Sequence, residues 1–171
     1  LAGGGGTRLF PLSRTCFPKQ FMKVDSEYSL LAQTLRRSAN LVTPQDIVVV
    51  TNKDYVHHVQ AEIESSGMNG AHIVLEPVVR NTAPAIALAA KYCMDVLGAS
   101  ENEVLFVSTS DHIIKGNDLF LKAVRQACQL AKDGKVVTFG IKPDKPETGY
   151  GYIQAGGAQG AGYCVESFKE K

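Results

Sequence analysis

Gly3, Gly4, Gly5 and Gly6 stand directly before Thr7 and Arg8, and Lys19 follows within Phe17-Pro18-Lys19-Gln20. Residues without a Cβ let main-chain amides approach a polyanion closely, while a guanidinium and an ammonium flank it. The pattern is that of a phosphate-handling loop, with Ala2, the four glycines and Thr7 as candidate amide donors. What the loop lacks narrows its type. A P-loop ends in Gly-Lys-Ser/Thr, whereas Gly6 is followed by Thr7 and Arg8. A dinucleotide fingerprint needs a third glycine at a position occupied here by Arg8 or Leu9.

Three further loops carry reactive groups: 76–84, 108–112 and 147–152. Asp111 follows a strand-like apolar run. A carboxylate there suits magnesium, which takes one or two carboxylates together with phosphate oxygens and water. No second His or Cys at metal-ligand spacing accompanies His112, which reads as structural. Thr82-Ala83-Pro84 reads as a helix start, threonine capping and proline in the first turn. His57 and His58 fall on an expected helix away from these loops and read as solvated or partly packed.

The elements that must position these groups alternate. Amphipathic helical patterns are expected over 26–38 and 54–66, the first with Leu30, Leu31 and Leu35 on one face and Gln33, Arg36 and Arg37 on the other. Further helices are expected over 83–97 and 118–132. Strands are expected over 47–51, 72–76, 103–108 and 135–141, with shorter ones over 150–155 and 163–168 and a mobile tip over 156–162. Strand-helix alternation of this kind implies an α/β fold, Rossmann-like, with a mostly parallel sheet, helices on both faces and ligand loops at the carboxyl ends of the strands.

The chain of 171 residues has 44% hydrophobic and 20% charged content, enough for a single packed core, and one domain is the default expectation. A formal net charge of +1 argues against a general nucleic-acid surface or a membrane-attracting face. No apolar run is long enough to cross a bilayer and no signal-peptide pattern is present, so a cytoplasmic location is expected. Cys16, Cys93, Cys128 and Cys164 are scattered, without a Cys-x-x-Cys pair, and read as reduced packing residues. The glycine loop has no strand ahead of it, which reads as a domain truncated at both ends over residues 1–171.

Taken with these loops, Arg8-Leu-Phe-Pro-Leu-Ser-Arg14, Phe17-Pro-Lys-Gln-Phe21, Glu76-Pro-Val-Val-Arg-Asn-Thr-Ala-Pro-Ala-Ile-Ala87 and Phe168-Lys-Glu-Lys171 follow one another in an order and at spacings that resemble the sugar-nucleotide pyrophosphorylases. More narrowly, they are similar to the bacterial mannose-1-phosphate guanylyltransferases. The resemblance spans essentially the whole chain. It implies a nucleotidyltransferase fold of glycosyltransferase-A-like type and the reaction of GTP with mannose 1-phosphate, in the presence of Mg²⁺, to give GDP-mannose and pyrophosphate.

It also implies roles. Arg8 stabilises charge on the departing pyrophosphate and Lys19 clamps phosphate oxygens, the chemistry such in-line transfer requires. Asp111 holds magnesium, with a second aspartate far downstream. Glu76 accepts the paired N1–H and N2 donors of guanine, and Arg80, Asn81 and Thr82 order the loop or reach ribose and phosphate. Gly149 gives the sugar close backbone approach, Glu170 binds its hydroxyls and Lys171 its phosphate. Two other readings stay open: a non-catalytic nucleotide-sugar-binding subunit, and a thymidylyl- or uridylyltransferase acting on another hexose 1-phosphate. Association into a homo-oligomer also stays open.

Overall fold

The computed structural model describes residues 1–4, 11–14, 17–78 and 80–170. Gly5, Gly6, Thr7, Arg8, Cys16 and Lys171 lie outside the described residues. The chain divides into two compact units, Leu1–Asn117 and Asp118–Lys171.

The first unit is built around a parallel pair of strands, β1 (Val48–Thr51) and β2 (His72–Leu75), in register Val48↔His72 through Thr51↔Leu75. Successive side chains of a strand point to opposite faces, and β1 is apolar on both, so both must be covered. Val49, with Ile47 just before the strand, packs into one cluster with Leu31 and Leu35 of α1 (Leu30–Ser38) and Val59 and Ile63 of α2 (Val56–Ser65). Val50 and Val74 pack into a second cluster with Ala85 and Ala89 of α3 (Thr82–Asp95). Helices therefore cover both faces of the pair, as the alternation predicts.

Hydrogen bonds extend this order. The Ala2 amide donates to the Val50 carbonyl at 2.8 Å, on the edge of β1 away from β2. The Leu1 amino group donates to the Ser108 carbonyl, also at 2.8 Å. The segments therefore stand as β2, β1, residues 1–4 and Ser108, an order in which the first segment has the second and third on one side and the fourth on the other. That is the switch point of a doubly wound α/β sheet, outside which ligands bind.

Local chemistry moves several expected boundaries. α1 begins at Leu30, not 26, because Ser29 is its N-cap, its Oγ accepting from the Ala32 amide at 3.0 Å. Ser26 is held outside the helix, its Oγ accepting from the Tyr28 amide at 3.1 Å. Arg37, expected on the solvent face, is buried, and its Nη2 donates to Thr34 Oγ1 at 3.1 Å. Burial lowers the guanidinium's pKa from its usual value. α3 begins at Thr82 with Asn81 as N-cap, so Thr82 is the first helical residue and not the cap.

The expected strands over 103–108 and 135–141 carry no ladder among the described residues. Over 104–108, half-buried and exposed residues alternate, the period of an extended chain, but a strand also needs a paired neighbour. Over 135–141 that alternation is absent: Val137 is half-buried, while Val136 is 97% and Ile141 90% exposed.

In the second unit α4 (Asn117–Lys132) gives way to Gly134 at φ +75°, and the chain ends in an antiparallel hairpin, β3 (Tyr152–Gln159) and β4 (Gly162–Lys169). The tip expected over 156–162 is mostly strand. Only residues 160 and 161 separate the Gln159↔Gly162 pair, and Gly160 at φ +55° supplies the left-handed backbone that a two-residue hairpin turn requires. The register slips between Gln154 and Ala158, where the strand absorbs bulges.

Leu31 is 2% exposed within the larger cluster. Leu31→Ala is expected to lower the unfolding free energy by about 3 kcal/mol, read as a fall in the urea midpoint.

Candidate active site

The first segment is the scaffold of the site, and each of its described carbonyls accepts from a side chain. Ser110 Oγ donates to the Leu1 carbonyl at 2.8 Å. Thr51 Oγ1 and Gln20 Nε2 both donate to Ala2, at 3.1 and 3.0 Å. Asn52 Nδ2 donates to Gly3 at 3.3 Å, and Gln20 Nε2 donates again to Gly4 at 3.1 Å. These donors come from the ends of the elements that flank the segment: β1 and the residue after it, the 3-10 turn Lys19–Phe21, and the stretch following Ser108. None of the four was singled out in the sequence. Their acceptors are main-chain carbonyls far away in the chain, and no motif marks such an acceptor.

The two charged groups of the phosphate side meet beside this segment. Lys19 Nζ lies 3.8 Å from Asp111 Oδ2, and His112 Nε2 lies 3.7 Å from Asp111 Oδ1. Both partners of the Lys19–Asp111 pair are partly exposed, at 31% and 42%, so the pair contributes no more than about 1 kcal/mol to stability. Its significance is positional: a cation and a carboxylate from separate loops stand at the switch point. The Thr109 hydroxyl contacts His112 Nδ1 at 2.9 Å, which orients the ring.

Glu76 closes the opposite side. Its amide donates to the Thr51 carbonyl at 2.7 Å, continuing the β1–β2 ladder by one residue. Its half-buried side chain lies against Gly3, where Oε2 occupies the space a Cβ would need. Glycine at this position is what lets the carboxylate come so close.

Arg80, Asn81 and Thr82 are exposed where the chain enters α3. Asn81 has φ +65° and ψ −168°, a region that residues other than glycine rarely occupy and that costs on the order of 1–3 kcal/mol. Gly149 and Glu170 belong to the second unit. The Gly149 amide donates to Glu147 Oε1 at 3.0 Å, and Glu170 is exposed. Thus Ala2, Gly3, Gly4, Lys19, Glu76 and Asp111 gather around the first segment, and Gly149 and Glu170 are described within their own unit.

Asp111 fits a magnesium ligand: its carboxylate is partly exposed, and His112 and Lys19 stand 3.7 and 3.8 Å from its oxygens, which leaves them accessible. Cys93 is half-buried and burial raises its thiol pKa, which keeps it protonated and unreactive. Cys164 departs from the packing expectation and is exposed. His57 is exposed, and the His58 ring packs on Phe21 at 5.1 Å between centroids.

Comparison with known proteins gives concordant matches. The family model described as nucleotidyl transferase matches residues 1–171. A mannose-1-phosphate guanylyltransferase of Salmonella montevideo is 46% identical over 92% of this chain and 32% of its own length. The xanthan biosynthesis protein XanB of Xanthomonas campestris pv. campestris (strain B100) is 46% identical over 100% of this chain and 36% of its own length. A crystal structure from Thermus thermophilus, described as a mannose-1-phosphate geranyltransferase, superposes with a TM-score of 0.86 at 36% identity, covering 99% of this chain and 48% of that one. The chain spans about a third of the length of these curated relatives.

Gly3→Ala is expected to reduce stability by less than about 1 kcal/mol in chemical denaturation, because the obstructing atom is the end of a flexible side chain. A crystal structure of that variant is expected to show the Glu76 carboxylate turned away from the segment. A Glu76 left in place would contradict the close-approach argument.

Proposed function

The chain belongs to the nucleotidyl transferase family, and from that premise we propose that the protein carrying it transfers a guanylyl group from GTP to mannose 1-phosphate, forming GDP-mannose and pyrophosphate. The observation that carries this reading is the convergence of Lys19 and Asp111 at 3.8 Å beside a glycine segment at the switch point of the sheet. The named relatives support the choice of substrates.

In the proposed reaction an oxygen of the sugar phosphate attacks the α-phosphorus of GTP, and the bond from that phosphorus to the oxygen bridging the β-phosphorus breaks. The electron pair leaves on pyrophosphate. No covalent nucleophile from the protein is needed; alignment and charge neutralisation are. Amides of the glycine segment receive the triphosphate, and Lys19 draws phosphate oxygens toward the reacting centre. Arg8 stabilises charge on the leaving group. Asp111 would hold a magnesium ion, whose contribution when bound is neutralisation of phosphate charge. Glu76, beside Gly3 on the far side of the segment from Asp111, is the acceptor for the N1–H and N2 donors of guanine, a neighbouring pair that adenine does not offer. Gly149, Glu170 and Lys171 take the sugar and its phosphate. The reaction's soluble substrates suit a cytoplasmic enzyme.

Titration with GTP, UTP and dTTP in magnesium, followed by assay of pyrophosphate release with mannose 1-phosphate, tests the proposal. GTP is expected to bind at least about tenfold more tightly than the other two, matching the worth of one paired contact to a base. Equal response to all three would remove the guanylyl assignment. Lys19→Met in the full chain is expected to lower kcat about a hundredfold, the usual cost of one preorganised electrostatic contact. Unchanged turnover would leave the nucleotide-binding role without catalysis.

A further inference from the structure

Gln20 stands next to Lys19 in the short 3-10 turn Lys19–Phe21, yet it is 3% exposed. Buried glutamine is uncommon, and its amide must find partners. Here the Nε2 group reaches back across the chain to the Ala2 and Gly4 carbonyls, at 3.0 and 3.1 Å, so both of its hydrogens are used on the first segment. Gly4 is the last described residue before the part of the loop that bears Arg8. One rigid amide thus joins the turn that carries Lys19 to the point at which the phosphate-binding loop departs. Phe21, the next residue, anchors the turn by packing into the larger core cluster.

We propose that Gln20 is a positioning residue for nucleotide binding: its side-chain amide fixes the Lys19 turn and the glycine segment at one spacing, so that ammonium and loop amides meet a triphosphate together. The inference rests on the nucleotidyl-transfer reading above. A carbonyl can only accept, so the function belongs to the NH₂ group and not to the residue's size. Thr51 and Asn52 hold the same segment from the β1 side, which keeps its fold when one donor is lost. What that loss frees is the spacing to Lys19.

Gln20→Glu in the full chain keeps the shape and replaces two donors with oxygens facing two carbonyls; Gln20→Met keeps the length and removes the donors without adding charge. KM for GTP, KM for mannose 1-phosphate, and direct GTP binding are compared with the wild type, with the unfolding midpoint as control. For each variant whose midpoint stays near the wild type's, the expected result is a rise in KM and Kd for GTP of tenfold or more. KM for the sugar phosphate should move less than about twofold. Gln20→Asn, which keeps the amide but shortens its reach so that it no longer spans the Ala2 and Gly4 carbonyls, provides the same split should neither of these variants fold, at a severalfold level. Parallel movement of both KM values, or GTP binding unchanged, would overturn the proposal. A wild-type chain that binds none of GTP, UTP or dTTP would instead defeat the nucleotidyl-transfer reading itself, and the proposal with it.

Discussion

The carbonyls of Leu1, Ala2, Gly3 and Gly4 accept from Ser110, Thr51, Gln20 and Asn52. A main-chain oxygen buried without a partner costs about 1–3 kcal/mol, so a segment placed between β1 and Ser108 is stable only where its carbonyls are met. The constraint works in both directions. Donors that satisfy the segment also bind the surrounding loops to it, and two of those loops hold Lys19 and Asp111, while Glu76 is tied to the end of β1 through its amide. A set of ordinary hydrogen bonds therefore fixes the relative places of groups that otherwise touch only through a weak, partly exposed ion pair.

The two-faced packing of β1 is what permits this arrangement. Ile47 and Val49 serve the α1–α2 side and Val50 the α3 side, leaving the strand's free edge for the first segment. With both faces closed by helices, polar groups can converge only at the strand ends. The charged groups there gain little by pairing with one another. They remain available to an anion, whose charge they can meet without first losing a strong internal bond.

Much of this was legible in the residues. Glycine and proline punctuate the loops, and apolar periodicity marks the helices to within a few positions, which suffices to place Gly3, Lys19, Glu76 and Asp111 in loops at the same end of a sheet. The pairing of strands was less accessible. Periodicity at 103–108 specifies an extended chain but not the neighbour that would turn it into a strand, and the apolar run at 135–141 forms no ladder among the described residues. Helix ends were readable at Gly67 and Gly98, both at positive φ just beyond the helices they close, yet the start of α3 was misread. There Asn81, held at φ +65° and ψ −168°, turns the chain into the helix ahead of Thr82, a conformation that its residue type does not announce. The carbonyl donors were invisible because both partners of such a bond are commonplace and the distance along the chain, 49 residues between Thr51 and Ala2, is set only by the fold.

The contact between Gly3 and Glu76 has a consequence for descent. Two positions 73 residues apart in the chain compete for one volume, which holds either a β-carbon or a carboxylate oxygen, never both at once. A lineage that acquires alanine at the first position must shorten or swing aside the acid at the second, in whichever order the changes arise. Because the acid yields by rotation alone, an alanine at the first position leaves the glutamate in the sequence but turns its carboxylate out of the crevice, so the first residue decides where the second one points.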